Sequence, residues 1–154
     1  MEEIKELVKN LAEKYGKKRE SLLPIMQAVV EKQKYLSEEA MEEIAYQLNI
    51  SAAQVFSTAS FYSFLDTEPR GKYVIRVCKS IIAEIKGKKE IIKTLENLLK
   101  IKAGQTTPDK MFSLLETNDI GWSDQEPSML INDTPYTNLT SEKVISIINE
   151  YRSK

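Results

Sequence analysis

Through the first 65 residues or so, apolar positions recur every three to four residues, the spacing that places them on one face of a helix. Ile4, Leu7, Val8 and Leu11 form the first such stripe, and Gly16 ends it. Ser21 is expected to cap a second helix with Leu22, Ile25, Met26, Val29 and Val30 inward. Pro24 lies in its first turn, where a missing N–H costs little. Ser37 followed by Glu38 and Glu39 predicts a third helix start, with carboxylates at the positive end of the helix dipole, and Asn49 its stop. Ser51-Ala52-Ala53-Gln54 has the form of a capping box and opens a fourth helix running to about Ser63. Four short amphipathic helices with short joints predict a small bundle.

Asp66-Thr67-Glu68-Pro69-Arg70-Gly71 is polar and holds both backbone breakers, so the expected boundary separates residues 1–68 from 69–154. Beyond it the period changes. Lys72–Cys78 alternates, with Tyr73, Ile75 and Val77 on one face. Lys88–Lys100 is helical, its stripe formed by Ile91, Ile92, Leu95, Leu98 and Leu99. Met111–Leu115 and Ser128–Ile131 read as strands, and Asn132-Asp133-Thr134-Pro135 as a turn into a short strand Tyr136–Asn138. Thr140 is placed to cap a last helix carrying Val144, Ile145, Ile147 and Ile148. The second half is therefore strand–helix–strand–strand–helix, with no internal repeat.

Composition narrows the function. The 154 residues are 42% apolar and 29% charged, with a formal net charge of −1, which is globular and offers no basic stripe for a nucleic acid. No apolar run is long enough to cross a bilayer, so direct membrane insertion is not expected. The charged N-terminal helix does not resemble a signal peptide, and the expectation is a soluble, cytoplasmic protein. The single cysteine, Cys78, excludes an internal disulfide framework. The absence of histidine removes Ser–His and Cys–His chemistry and imidazole metal ligands. No pair of carboxylates stands out, so no catalysis is expected of the isolated chain.

Several segments in order, LLPIMQAVVEKQKYLSEEAMEEIA, VFSTASFYSF, PRGKYVIRVC, GQTTPDKMFSL and PSMLINDTPYTNLTSEKV, resemble the small [2Fe-2S] subunit of NADH:quinone oxidoreductase. The same family supplies subunits to NAD-reducing and bifurcating hydrogenases and to NAD-dependent formate dehydrogenases. The resemblance runs from Leu22 to Tyr151 and implies an α+β chain: a helical bundle followed by a thioredoxin-like β-α-β-β-α domain. It also implies four cluster ligands, falling here on Cys78, Ala83, Asp119 and Ser123, with Gly121 and Pro127 matching the pattern between and after the last two. A [2Fe-2S] cluster is held by four thiolates, and three of these positions lack sulfur. The expectation is accordingly no bound cofactor and no metal; a non-standard cluster shared with another chain is the less favoured alternative.

Cys78, at the end of an apolar strand, reads first as an inert small hydrophobe. The rival reading is a thiol activated by a nearby helix start and by Lys79, in a stand-alone thiol-dependent protein. Trp122, with Ile81 and Ile82, is expected either to fill the vacated cluster space or, for the Trp, to face a partner. Phe56, Phe61, Tyr62 and Phe64 are mostly expected in the core, but they are too many for one face, so part of the set is a candidate interface. The Lys86–Lys89 cluster reads as a solvated helix start. Taken with the resemblance, these residues suggest an accessory subunit of an electron-transfer complex. It would dock on the flavoprotein subunit that binds NADH and FMN, with recognition centred on the fourth helix.

Overall fold

The computed structural model describes residues 2–154, and these divide into two compact units that part between Pro69 and Arg70. In the first unit, α1 (Glu2–Tyr15), α2 (Leu22–Gln33), α3 (Glu38–Leu48) and α4 (Ala52–Phe61) pack around a core that includes Val8, Ile25, Met26, Val29, Leu36, Ile44 and Val55. Gly16 ends α1 at φ +97°, a backbone conformation that glycine adopts without steric cost. Ser37 caps α3 by accepting from the Ala40 N–H at 3.2 Å, and Asn49 closes it in the left-handed region. Ser51 and Gln54 form the expected reciprocal box at α4.

Ser21 departs from expectation. It ends a 3-10 turn (Arg19–Ser21), and its hydroxyl donates to the Tyr15 carbonyl at 2.8 Å, so it ties α1 to α2 and caps nothing. Helix α4 stops at Phe61, because Tyr62 is already extended. Its inward residues are Val55 and Ala59. Phe56, Phe61, Tyr62 and Phe64 are exposed and form no part of the core, correcting the expectation that most of them would be buried.

The second unit is a four-stranded mixed sheet in the order β2-β1-β3-β4, where β1 is Tyr73–Cys78, β2 Phe112–Thr117, β3 Met129–Ile131 and β4 Thr134–Tyr136. Strands β1 and β2 run parallel, Tyr73 opposite Phe112 and Cys78 opposite Thr117; β3 lies antiparallel to β1 and β4 to β3. Helices α6 (Lys88–Leu99) and α7 (Ser141–Arg152) share one core with Ile75, Val77, Phe112, Leu114, Met129 and Ile131. Arg76 and Cys78 alternate to the opposite side of β1. The hairpin turn is only Asn132-Asp133, with Asn132 at φ +53°, so β4 begins earlier than the proline suggested.

Gly71 is needed for space: a Cβ there would sit 2.8 Å from the Phe112 carbonyl carbon and 2.9 Å from its nitrogen. Its N–H donates to Ser113 Oγ at 2.8 Å. The Thr-Pro-Asp-Lys segment forms the turn into β2, with the Asp109 carboxylate accepting from the Thr107 hydroxyl and the Met111 N–H. Lys88, expected in solvent, is buried and paired with Glu84 at 2.6 Å and Glu116 at 2.7 Å. Burial pulls its ammonium down, but the Glu116 and Glu84 carboxylates outweigh that and hold it above its ordinary value.

Candidate functional site

The site is assembled at the end of β1. Cys78, fully buried, is fixed by its N–H donating to the Ser128 carbonyl at 3.0 Å, and the next N–H, of Lys79, donates to Thr117 O at 2.7 Å. The chain then turns into a helix that the sequence pattern did not indicate, α5 (Ile81–Ile85). Ser80 caps it, accepting from the Ala83 N–H at 3.0 Å. Ala83 is its buried residue, whereas Ile81 and Ile85 are 81% and 80% exposed and Ile82 is also exposed.

Facing this turn is the loop before β3. Gly121 adopts φ +86°, with open space around the position of a Cβ, so backbone conformation and not packing favours glycine. Asp119 accepts from the Gly121 N–H at 2.7 Å and, through its other oxygen, from the Ser123 hydroxyl at 2.6 Å. Those donors hold its carboxyl below the usual aspartate range, Ser123 contributing most. A 3-10 turn (Ser123–Gln125) follows, and the Lys86 ammonium donates to the Asp124 carbonyl at 3.1 Å, tying the loop to the end of α5.

Glu126 is the residue that sequence reasoning missed. It is 3% exposed, its Oε2 accepts from Ser128 Oγ at 2.9 Å, and its Oε1 has no hydrogen-bond partner. One ligand atom each from Cys78, Asp119 and Glu126 lie within 4.8 Å of one another. Nothing in residue type separated Glu126 from the exposed Asp124 two positions earlier; only its place directly before Pro127 and an apolar strand set it apart.

Burial, and then the Glu126 carboxylate, push the Cys78 thiol above its ordinary value, although Ser80 and the Ile120 backbone pull the other way. A thiol held protonated and out of solvent is a poor nucleophile, which speaks against the activated-thiol reading. Trp122 is 37% exposed and, with Ile81 and Ile82 also exposed, the expected hydrophobic plug is not formed. The buried residues of these segments instead include Cys78, Ala83, Glu126 and Ser128.

Residues 8–152 match the protein family described as thioredoxin-like [2Fe-2S] ferredoxin. The chain belongs to that family. It is 35% identical over 145 residues to a subunit of the NADH-quinone oxidoreductase of Buchnera aphidicola subsp. Acyrthosiphon pisum, an alignment covering 94% of this chain and 90% of that one. It is 38% identical over 125 residues to the like-named subunit from Escherichia coli, covering 80% and 75%. A further relative is the NAD-reducing hydrogenase HoxS subunit alpha of Cupriavidus necator, 34% identical over 145 residues. Here 94% of this chain aligns with only 24% of the longer relative. Among solved structures, an NAD+-reducing [NiFe]-hydrogenase in the air-oxidized state superposes with TM-score 0.71 at 25% identity, covering 83% of this chain and 22% of that one.

The family's [2Fe-2S] group does not fit the residues present. Cys78 is the one thiol of the chain. Ala83 carries no donor atom, and the oxygens at Asp119 and Ser123 are bonded to each other. Such a cluster is normally held by four thiolates, with histidine the known substitute, and the chain has no histidine. Of the four positions that the resemblance implies, one carries sulfur, one a carboxylate, one a hydroxyl and one only a methyl group.

Away from these loops, α4 presents the other candidate surface. Phe61 is 79% exposed and meets Tyr62 edge-on, with centroids 5.1 Å apart. The Thr58 and Ser60 hydroxyls donate back to the Gln54 and Phe56 carbonyls at 2.9 and 2.6 Å, which spends their polarity within the helix.

Proposed function

We propose that the chain is an accessory subunit of an NADH-oxidising oxidoreductase, without a [2Fe-2S] cluster, which acts by docking on the subunit that binds NADH and FMN. The observation that carries this reading is the family's scaffold joined to a ligand set that cannot close around two irons. The relatives' names, which place them in NADH-quinone oxidoreductase and in an NAD-reducing hydrogenase, supply the class of complex. Support for docking comes from apolar side chains left in solvent on both units, Phe56, Phe61, Tyr62 and Phe64 on one and Ile81, Ile85 and Trp122 on the other. Aromatic anchors of this kind commonly dominate interface energetics.

Affinity purification of the full chain from its native cell tests the proposal. A flavoprotein subunit recovered in stoichiometric amount, with no iron and sulfide assignable to this chain, is the expected result. Recovery of no such partner overturns the docking function. A [2Fe-2S] signal lost on Cys78→Ser overturns the cluster-free state and favours a cluster completed by another chain.

A further inference from the structure

We propose that Cys78, Asp119 and Glu126 form a mononuclear site for a divalent ion of the zinc class. Their ligand atoms already converge, all within 4.8 Å of one another, from the end of β1 and from both ends of the loop before β3. A cysteine and two acids are not by themselves a site. The decisive feature is Glu126: a carboxylate 3% exposed, brought to this cluster beside the Cys78 thiol, with no formed hydrogen bond at Oε1. A buried carboxylate oxygen without a partner is costly to maintain, and a bound cation is the partner its position calls for.

The chemistry of the set selects the ion. One sulfur excludes the hard ions magnesium and calcium as natural occupants, since they take oxygen ligands. Zinc accepts cysteine sulfur and carboxylate oxygen together, at roughly 2.3 Å and 2.0–2.2 Å, which in a tetrahedron places ligand atoms roughly 3.3–3.8 Å apart. Closing from within 4.8 Å requires a shift of at most roughly 1–1.5 Å, which the exposed Asp119 carboxylate supplies from the solvent side together with the loop that holds it. Ser128 on Glu126 Oε2, and Ser123 with the Gly121 N–H on Asp119, would orient the two carboxylates as supporting partners do at metal sites. Three protein ligands leave a fourth position for water. On binding, the Cys78 thiol gives its proton to solvent and a sulfur–metal bond forms, with no change of oxidation state.

The test uses the full chain after chelator treatment, titrated with zinc alone by calorimetry and with cobalt(II) alone by absorption. The expected result is one ion per chain and a thiolate-to-cobalt charge-transfer band that Cys78→Ser abolishes. Glu126→Gln, nearly the same shape, and the solvent-exposed Asp119→Asn should each weaken zinc at least by the roughly tenfold that losing a mere supporting partner causes. Folding of each variant is checked by circular dichroism, and Asp119→Asn keeps the test decisive if a buried substitution unfolds the unit. Absence of saturable binding, a cobalt spectrum without a thiolate band, or affinity unchanged in Asp119→Asn overturns the proposal. The measurement is made on the isolated chain and is independent of whether a docking partner is recovered.

Discussion

Replacing Phe61 by Ser separates docking from folding. The ring is 79% exposed, and a phenylalanine offers about 200 Å² of surface, so about 160 Å² remains available to a partner. At about 25 cal/mol per Å² that area is worth up to about 4 kcal/mol, and ordering costs at an interface bring the usable share to about 2–4 kcal/mol. The predicted loss of affinity for the flavoprotein subunit is therefore roughly 30- to 1,000-fold. Stability should change little, because the ring is mostly in solvent and its edge-on contact with Tyr62 is worth about 0.5–1.5 kcal/mol. Calorimetric titration of the two purified subunits gives the first quantity and urea unfolding the second. Tyr46 supplies the control, since it is equally exposed but sits on α3 beside Lys5, Glu39, Glu42 and Glu43 in a charged setting. If Phe61→Ser and Tyr46→Ser bind alike, exposure on α4 carries no recognition and the reasoning fails.

Gly71→Ala should cost about 1–3 kcal/mol for driving a Cβ into the Phe112 backbone, plus about 1 kcal/mol if the bond to Ser113 is lost. Urea unfolding followed by Trp122 fluorescence, which reports only on the second unit, checks it, and an unchanged midpoint refutes the close approach. Asp109 is held below the usual aspartate range by the Thr107 hydroxyl and the Met111 N–H, so its contribution is present above the ordinary carboxylate pKa and lost as pH falls through the folded value. The stability gap between the protein and Asp109→Asn, measured by urea unfolding across the acid range, should accordingly close as pH drops; a gap that widens there contradicts the assignment. Anaerobic reconstitution with iron and sulfide should leave no stoichiometric [2Fe-2S] absorption, and two irons per chain lost on Cys78→Ser would refute the ligand argument.

What the sequence disclosed was local. Ser37, Ser51 and Thr140 cap helices because a hydroxyl and an N–H a few residues on are neighbours whatever the rest of the chain does. The alternation of Tyr73, Ile75 and Val77 likewise fixed which side of β1 meets the α6 and α7 core. Where distant residues decide, the reading failed. Helix α5 is too short for a period to show, and its isoleucines point outward, against the rule that makes such runs legible. The same rule misplaced the aromatic residues in and after α4, since apolar character alone cannot separate a core face from one left in solvent. Lys88 read as a solvent residue and Glu126 went unremarked, because burial of a charge depends on partners far along the chain, Glu116 for one and the Cys78 corner for the other.

The arrangement at that corner bears on the proposal of a family scaffold without its cluster. A pocket that had merely lost its cluster would be expected to close with apolar side chains, because dispersion contacts are forfeited around an unfilled void. Here the nearby apolar side chains, Ile81, Ile82 and Trp122, stay in solvent, and a carboxylate occupies the interior beside the surviving thiol. Both choices run against the stability of an isolated domain: exposed isoleucines lose burial energy, and a buried carboxylate oxygen without a donor loses hydration. Each is intelligible if the loops answer to something outside the chain, a protein surface over the isoleucines and an ion beside Glu126. Electron transfer needed four sulfurs at one point, whereas docking needs only the surface around that point. On the proposed reading the first requirement lapses while the second remains. Gly71, Gly121 and the Ser80 cap serve the fold in either case, through the close approach to Phe112, the positive φ of the loop and the N–H of Ala83.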